Sequence, residues 1–275
     1  MKIVLGIDVG GSTTKIVGLS EDRKVYSLQL NAEERNIPIS DIVYKFLNYY
    51  NFSLSNISSI VLTGVGSYDM EDEICGIKVY RVDEFNAIGY GGLYTSQKKS
   101  ALVVSMGTGT AYVKACSNSI THIGGSGVGG GTLLGLSSIL LGTKDIDIIE
   151  EYFKCGELRN VDLSVEDICK EPIAGLPPDI TVSNFGKISK FVSKGDLSLG
   201  IMNMICQTIG LIAIFYIKNE SIKDIVLTGT LTKFFVIRNI FDRLELLHNV
   251  RFIIPDNSVF ATSIGAIIYH NRFLR

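Results

Sequence analysis

Short apolar runs separated by turn residues open the chain and predict β-strands. The runs KIVLGIDV, TTKIVGLS and KVYSLQL lie between residues 2 and 30, and they are separated by Gly10-Gly11 and by Glu21-Asp22. Apolar runs of this length that end at glycine or acidic turn residues are typical of strands joined by tight turns. We therefore predict three consecutive strands at the start of the fold.

Farther along, the apolar residues recur with a helical period. The spacing predicts an amphipathic helix from Ser40 to Tyr50, in which Ser40 serves as the N-cap. The apolar face of this helix consists of Ile42, Val43, Phe46 and Leu47. A longer apolar stretch, residues 201–217, carries the polar residues Asn203, Gln207 and Thr208. It predicts a buried helix rather than a membrane span.

The second half of the chain repeats the plan of the first half. The segment SALVVSMGTGTAYVKAC, residues 100–116, again places a small-residue and glycine turn between two apolar strands. Later, IKDIVLTGTL matches ISSIVLTGVG of the first half. Paired strands around a glycine turn, followed by a strand that ends in V-L-T-G, indicate a weak internal duplication. We therefore predict two similar lobes, residues 1–97 and residues 98–275.

Composition narrows the class of protein. Of 275 residues, 46% are hydrophobic and 20% are charged, which is typical of a soluble globular protein. The net charge of −2 leaves no basic excess to neutralise nucleic-acid phosphates. The five cysteines are scattered and form no C-x-x-C pair, which predicts reduced thiols in a cytoplasmic protein. Asp8 interrupts the first apolar run, so no signal peptide is expected.

The first glycine turn carries residues suited to a phosphate and its metal ion. Asp8 stands at a strand end, where its carboxylate could hold hydrated Mg²⁺ through water. Gly10 and Gly11 let the backbone turn tightly and bring amides to a phosphate, and Lys15 could reach the same charge. A plain hairpin turn, in which Gly-Gly is common, explains these residues equally well.

Two further glycine segments favour the phosphate interpretation. SMGTGT, residues 105–110, occupies the corresponding place in the second half, and two such loops across a cleft could grip one polyphosphate. GGSGVGGG, residues 124–131, has six glycines in eight residues and precedes an apolar helix. Because helix N-termini favour anions, this third segment predicts a phosphate or nucleotide site.

The third segment also contains the G-x-G-x-x-G pattern of dinucleotide-binding folds, at Gly125, Gly127 and Gly130. That fingerprint needs a βα unit whose next strand ends in an acid, whereas a helix-like stretch and then an acidic amphipathic stretch follow here. The Rossmann interpretation is therefore disfavoured. The Walker pattern G-x-x-x-x-G-K-[ST] does not occur in the sequence.

Two adjacent acids, Asp83 and Glu84, stand where an apolar strand runs into a helix. A kinase that phosphorylates an alcohol needs a carboxylate to orient the hydroxyl and accept its proton. Acids also commonly stabilise helix N-termini, so the residues alone leave a catalytic role and a capping role open.

In order along the chain, several motifs resemble type II pantothenate kinases, a branch of the actin, sugar kinase and Hsp70 superfamily. The motifs are GIDVGGSTTKIV, VDEFNA, SMGTGTAY, IGGSGVGGGTLLGL, DITVSNFGKI, IVLTGTL and FATSIGAI, between residues 6 and 267. The resemblance implies an α/β fold of two RNase H-like lobes, with mixed sheets flanked by helices and an ATP cleft between the lobes. It also implies a Mg²⁺- and ATP-dependent kinase that converts pantothenate to 4'-phosphopantothenate in coenzyme A synthesis.

The resemblance further implies roles for individual residues. Asp8 would hold Mg²⁺ through water, and Glu84 would be the general base. The residues implied along the ATP phosphates and the nucleotide are Gly10, Gly11, Ser12, Lys15, Thr108, Gly109, Gly129, Gly130, Gly131 and Thr132. The residues implied on the substrate side are Glu84, Thr108, Thr110 and His122. A small-molecule substrate, a homodimer and a cytoplasmic location are expected, and neither nucleic acid nor membrane is expected as a partner.

One position departs from the family pattern. Relatives usually carry an arginine just before the third glycine segment, where it helps to hold the pantothenate carboxylate, and this chain has His122. Histidine is shorter and cannot form the bidentate contact of arginine. One alternative is therefore a kinase or ATPase of the same superfamily that acts on another small alcohol, such as an amino sugar.

The other alternative is a nucleotide-dependent switch protein that resembles the activators of radical dehydratases. Those activators hold an iron–sulfur cluster with closely placed cysteines. The scattered cysteines of this chain argue against that class.

Overall fold

Six strands form the sheet of the first lobe in the computed structural model, which describes the chain except residues 31–36, 68–70, 172, 174, 189–190, 219 and 275. They are β1 (Ile3–Val9), β2 (Thr14–Ser20), β3 (Val25–Leu30), β4 (Ile57–Thr63), β5 (Glu73–Ile74) and β6 (Ile77–Arg81). Their order is β3-β2-β1-β4-β6-β5, with β1 antiparallel to β2 and parallel to β4. The three strands predicted at the start of the chain are confirmed.

The second lobe repeats this arrangement. Its strands are β7 (Ser100–Met106), β8 (Thr110–Cys116), β9 (Ser119–Ser126), β10 (Leu163–Ser164), β11 (Thr181–Ser183), β12 (Asp224–Thr228) and β13 (Arg251–Ile253). The short strands β10 and β11 form a separate pair. The order of the main sheet is β13-β12-β7-β8-β9. Since β7 is antiparallel to β8 and parallel to β12, it corresponds to β1 of the first lobe. The predicted duplication and the α/β fold class are confirmed.

Helices cover both sheets. They are α1 (Ile39–Tyr50), α2 (Glu84–Ser96), α3 (Gly130–Leu140), α4 (Ile146–Cys155), α5 (Val165–Ile168), α6 (Lys194–Ile217), α7 (Val236–His248) and α8 (Ala261–Phe273). The predicted apolar face of α1 is buried, but the predicted N-cap is wrong, because Ser40 lies inside the first turn. Pro38 precedes the helix, and its carbonyl accepts the N–H of Asp41 at 2.9 Å, so the helix begins one residue earlier.

Helix α6 contains the long apolar stretch of the sequence. By length and composition α6 could cross a membrane, but 61% of its most apolar window is buried inside the fold. Ile201, Ile205 and Ile209 have no exposed surface and belong to the core of the second lobe. The prediction of a buried helix is confirmed.

Two helices pass between the lobes. Helix α8, from the end of the chain, covers the first sheet, where Ile264 belongs to the same core cluster as Val4. Helix α2, from the first part of the chain, covers the second sheet, where Ile88 belongs to the cluster of Val103. The division of the chain between residues 97 and 98 stays a prediction. Helix α2 comes before this division but packs on the second sheet, and helix α8 comes after it but packs on the first sheet.

Helices α2 and α8 touch at their backbones. A Cβ atom on Gly91 would lie 1.9 Å from the carbonyl oxygen of Ala261, and one on Gly265 would lie 1.9 Å from that of Ala87. Any side chain at either glycine would therefore force the helices apart. This close crossing joins the two sheets.

Candidate active site

The loop after β1 leaves backbone donors open. Gly10 donates its N–H to the Thr13 carbonyl at 3.1 Å, which closes the turn. Within the described part of the chain, the N–H groups of Gly11, Ser12 and Thr13 have no hydrogen-bond acceptor. Consecutive open amides in a turn are suited to bind an anion. This geometry supports the predicted phosphate contacts of the first loop.

Asp8 lies in a row of side chains across the first sheet. Its register partners are Lys15 on β2 and Thr63 on β4. Asp8 is 7% exposed and Lys15 is 6% exposed, and Lys15 Nζ stands 4.0 Å from Asp8 Oδ2, too far for a hydrogen bond. Burial raises the pKa of Asp8 above its ordinary value, and the charge of Lys15 partly opposes that rise.

This environment fits a hydrated divalent cation. The Asp8 carboxylate accepts no hydrogen bond from any of the described residues, so its oxygen lone pairs are open. A desolvated carboxylate is stabilised by a nearby cation, and carboxylate oxygen is a ligand that Mg²⁺ prefers, directly or through water. Asp8 therefore has carboxylate oxygens with open lone pairs, which the predicted metal role requires.

The structure separates the two adjacent acids at the start of α2. Asp83 is the N-cap, and its Oδ1 accepts the N–H groups of Phe85 at 3.0 Å and Asn86 at 3.1 Å. Glu84 follows as a half-buried residue that accepts no hydrogen bond from the described residues. The capping role thus belongs to Asp83, and the Glu84 carboxylate is free for chemistry.

Glu84 lies within the electrostatic reach of Asp8. Burial raises the pKa of Glu84, repulsion from Asp8 and Asp83 raises it further, and Lys15 opposes both effects. A carboxylate with a raised pKa is a stronger base. The fold therefore brings together the predicted metal ligand, the predicted base and one lysine.

The loop after β7 meets the loop after β1. Ser12 Oγ and Thr108 Oγ1 are hydrogen-bonded at 2.7 Å, although 96 residues separate them in the chain. Across the described residues, the N–H groups of Gly107, Thr108 and Gly109 also find no acceptor. Each of the two loops thus has open amides, and the Ser12–Thr108 hydrogen bond holds the loops together.

The triple glycine at the start of α3 has a different environment. Gly130 donates its N–H to the Gly107 carbonyl and Gly131 donates to the Thr108 carbonyl, both at 2.8 Å. Gly129 donates to Thr132 Oγ1 at 3.1 Å. These amides are used inside the protein and are not open to a phosphate. The nucleotide role of this segment stays a prediction, but the glycines themselves serve to hold the second loop.

One expectation about the third glycine segment is wrong. Gly124 and Gly125 do not belong to a loop, because they lie in β9 and pair with Tyr112 and Ala111 of β8. The antiparallel pairing of β9 also differs from the βα unit of a dinucleotide-binding fold, in agreement with the rejection of that fold. The six glycines therefore divide among the end of β9, the turn after it and the start of α3.

The two remaining substrate-side candidates occupy different positions. Thr110 is 5% exposed, and its hydroxyl donates to the Val128 carbonyl at 2.8 Å, so it holds the turn before α3. His122 is exposed on β9 and stacks on Phe85, with ring centroids 3.8 Å apart and an angle of 15° between the rings. His122 thus contacts the residue that follows the candidate base in α2. Thr110 instead supports the turn before α3.

Sequence reasoning missed two neighbours of Asp8. Thr63 is fully buried beside it, and a Cβ atom on Gly64 would lie 2.7 Å from Asp8 Oδ1. Gly64 also has a φ of +89°, which favours glycine. The available signal was the V-L-T-G motif that both halves share, since it places a threonine and a glycine at the end of a strand beside each loop.

A cavity of about 390 Å³ lies elsewhere, in the second lobe, and contains none of the predicted site residues. Its buried wall includes Asp162, whose carboxylate accepts hydrogen bonds from Thr181, Asn184, Asn203 and the backbone of Phe185. Neutral donors satisfy this carboxylate, so it ties the chain around β11 to α6. This cavity is therefore separate from the candidate active site between the two loops.

Two known proteins are similar to this chain over nearly their full length. Type II pantothenate kinase of Bacillus cereus (strain AH820) is 24% identical over 279 residues, covering 98% of each chain. Type II pantothenate kinase of Oceanobacillus iheyensis is 29% identical over 273 residues, covering 96% of this chain and 98% of the relative.

Solved structures share the fold. Component A of (R)-2-hydroxyglutaryl-CoA dehydratase from Acidaminococcus fermentans has a TM-score of 0.70 at 16% identity and covers all of both chains. The activator of 2-hydroxyisocaproyl-CoA dehydratase from Clostridium difficile, with bound ADPNP, has a TM-score of 0.69 at 15% identity, covering 97% of this chain and 93% of the other. A ROK family glucokinase from Streptomyces griseus, in complex with glucose and AMPPNP, has a TM-score of 0.61 at 11% identity, covering 98% and 99%.

A family model shows where the chain belongs. The model named Fumble matches residues 92–241, more than half of the chain, and this range includes the second loop, the triple glycine and His122. The resemblance to type II pantothenate kinases, first seen in the motifs, extends over nearly the full length in the relatives above. The chain belongs to the Fumble family.

Proposed function

We propose that the chain is a pantothenate kinase, which transfers the γ-phosphoryl group of ATP to the hydroxyl of pantothenate and forms 4'-phosphopantothenate. The observation that carries the proposal is the grouping of Asp8, Lys15 and Glu84 beside two loops with open amides. Phosphoryl transfer depends mainly on positioning and on the stabilisation of charge, and this grouping supplies both.

The two loops would hold the phosphates of ATP. The open N–H groups after β1 and β7 belong to the two loops that the hydrogen bond between the Ser12 and Thr108 hydroxyls joins. Asp8 would hold the water shell of Mg²⁺, and Lys15 would balance negative charge close by. When bound, Mg²⁺ would neutralise charge on the phosphate oxygens.

Glu84 would orient the acceptor hydroxyl and take its proton as the oxygen attacks the γ-phosphorus. The bond between that phosphorus and the bridging oxygen of ATP then breaks, and ADP leaves. Burial is the main cause of the raised pKa of Glu84, and this raised pKa favours the proton transfer. The assignment of Asp83 to the helix cap supports Glu84 as the base.

The acceptor would bind beside the stacked rings of His122 and Phe85. The imidazole edge could donate a hydrogen bond to a carboxylate such as that of pantothenate. The absence of the usual arginine also favours a second candidate, a kinase of a neutral alcohol such as an amino sugar, because such an acceptor needs no charged partner. A homodimer and a cytoplasmic location remain part of the proposal.

Phosphoryl transfer from ATP should be measured with pantothenate, with pantetheine and with a panel of amino sugars. The proposal expects transfer to pantothenate that depends on Mg²⁺ and falls in Glu84→Gln. Transfer only to an amino sugar, still dependent on Glu84, would retain the kinase and replace the acceptor. Transfer that is equally fast in Glu84→Gln would reject the mechanism.

A further inference from the structure

The hydroxyl of Thr63 is buried without a partner. Thr63 has no exposed surface, and its Oγ1 has no hydrogen bond among the described residues. A buried hydroxyl that is left unpaired lowers the stability of a fold, whereas valine would fill the same volume at no such cost. A polar group kept at such a position therefore calls for a functional explanation.

Thr63 stands next to the Asp8 carboxylate. The two residues are register partners on the parallel strands β4 and β1, so their side chains share one face of the sheet. Neighbouring strands lie about 4.8 Å apart, so a rotation about the side-chain bonds can bring the hydroxyl to the carboxylate. Gly64, whose added Cβ would lie 2.7 Å from Asp8 Oδ1, walls the carboxylate on the same side.

The second lobe has the same arrangement of a buried threonine and a glycine at a strand end, but without the neighbouring carboxylate. Thr228 ends β12, is fully buried, and also has an unpaired Oγ1 within the described residues. Gly229 follows it with a φ of +92°, close to the +89° of Gly64. The register partner of Thr228 is Ser105, which stands where the first lobe has Asp8.

The similarity extends past the glycines. Ser67 Oγ donates to the Gly64 carbonyl and Thr232 Oγ1 donates to the Gly229 carbonyl, both at 2.7 Å. The two strand ends are thus near copies of each other in backbone, burial and hydrogen bonding. The register partner of Thr63 is a carboxylate and that of Thr228 is a serine, which makes Thr228 a matched control for Thr63.

We propose that Thr63 is a positioning residue for Asp8, whose ionised carboxylate accepts the Thr63 O–H when it holds the water shell of a divalent cation. The inference rests on the metal role of Asp8 in the proposed function. A hydrogen bond to an ionised acceptor is stronger than one between neutral groups, and it would fix one carboxylate rotamer. The hydroxyl is unpaired in the free protein and paired in the metal-bound state.

The test compares Thr63→Val, Thr63→Ser and Thr228→Val. Calorimetry with a non-hydrolysable ATP analogue, repeated over a range of Mg²⁺ concentrations, gives the Mg²⁺ requirement of nucleotide binding for each variant. Thr63→Val should raise that requirement roughly 10- to 100-fold, the value of a hydrogen bond to a charged group. Thr63→Ser keeps the hydroxyl and should stay within about threefold of wild type. Thr228→Val should match wild type.

A double-mutant cycle shows whether the effect passes through Asp8. In the Asp8→Asn background the ionised acceptor is gone, so Thr63→Val should change the Mg²⁺ requirement no further. Thermal unfolding of the ligand-free proteins establishes that each variant is folded. If Thr63→Val does not fold, Thr63→Ala takes its place in the same comparison.

Two results with the Thr63 variants would overturn the positioning role by itself. One is a Mg²⁺ requirement of Thr63→Val equal to that of Thr228→Val. The other is an undiminished effect of Thr63→Val in the Asp8→Asn background, which would make the role independent of the carboxylate. If wild type binds the nucleotide without any Mg²⁺ dependence, the metal part of the proposed function fails and the positioning role fails with it. Failure of pantothenate as acceptor would leave the inference intact.

Discussion

Replacing Gly130 by alanine should loosen the contact between α3 and the second loop. A Cβ atom at this position would lie 2.9 Å from the Gly107 carbonyl oxygen, closer than such atoms approach in proteins. The loop and the helix must separate by several tenths of an ångström. That movement stretches the two hydrogen bonds of 2.8 Å that Gly130 and Gly131 donate to the loop.

The magnitude follows from those two hydrogen bonds. A typical intramolecular hydrogen bond contributes about 0.5–1.5 kcal/mol to stability, so weakening both costs about 1–3 kcal/mol. Alanine also gains about 0.5–1 kcal/mol over glycine within a helix. Gly135 lies in the same helix with open space around its Cβ position, so Gly135→Ala receives this gain alone. The free energy of unfolding of Gly130→Ala should therefore lie about 1–3 kcal/mol below that of Gly135→Ala.

Thermal and denaturant unfolding of the two variants measures this difference. For a chain of this size, 1 kcal/mol corresponds to about 2–4 °C in Tm. Calorimetric titration with ATP should also show weaker binding for Gly130→Ala, because the open amides of the second loop move with it. Gly135→Ala should bind ATP as wild type does.

Equal stability of the two variants would refute the reasoning, because it would mean that the helix and the loop are not in contact at Gly130. Weaker ATP binding in a Gly130→Ala protein of undiminished stability would instead favour a direct contact between this glycine and the nucleotide.

Three further changes test the chemistry. Asp8→Asn should lower turnover strongly at saturating Mg²⁺ with the fold retained by circular dichroism, and undiminished turnover would exclude the metal role. Glu84→Gln should bind ATP normally but lose about 10²–10⁴ in kcat, the usual contribution of general acid–base catalysis. Because burial raises the pKa of Glu84 and only its ionised form accepts a proton, kcat/KM of wild type should fall as pH drops through that raised pKa, which lies above the ordinary value for glutamate. That acid limb should be absent from Glu84→Gln, and its persistence there would assign it to another group. His122→Arg should lower the KM for pantothenate, because a bidentate charged contact replaces a weaker one, and an unchanged KM would place the carboxylate elsewhere.

Much of the secondary structure could be predicted from the sequence. The strands β1, β2 and β3 follow from apolar runs between turn residues, and the buried face of α1 follows from its helical period. These features depend on local patterning, which neighbouring residues determine. The repeated strand–glycine–strand motif likewise predicted the two lobes, since each copy folds into the same local unit.

Parts of the site required the tertiary structure. The sequence left Asp83 and Glu84 equivalent, and only the backbone geometry at the start of α2 assigned the cap to Asp83. The Ser12–Thr108 contact joins residues 96 positions apart, and no local pattern encodes such a distance. The triple glycine suggested open amides, whereas two of its N–H groups donate to carbonyls of the second loop and the third donates to Thr132 Oγ1.

The sequence by itself thus determined the strands, the duplication, the family and the types of residue at each strand end. The tertiary structure alone decided which of those groups are desolvated, which are already hydrogen-bonded and which remain open. Asp8 is already a metal-ligand candidate in the sequence because it stands at a strand end before two glycines, and the fold adds that it is buried beside Lys15 and Thr63. Burial and pairing depend on contacts between distant segments, and these exist only once the chain has folded.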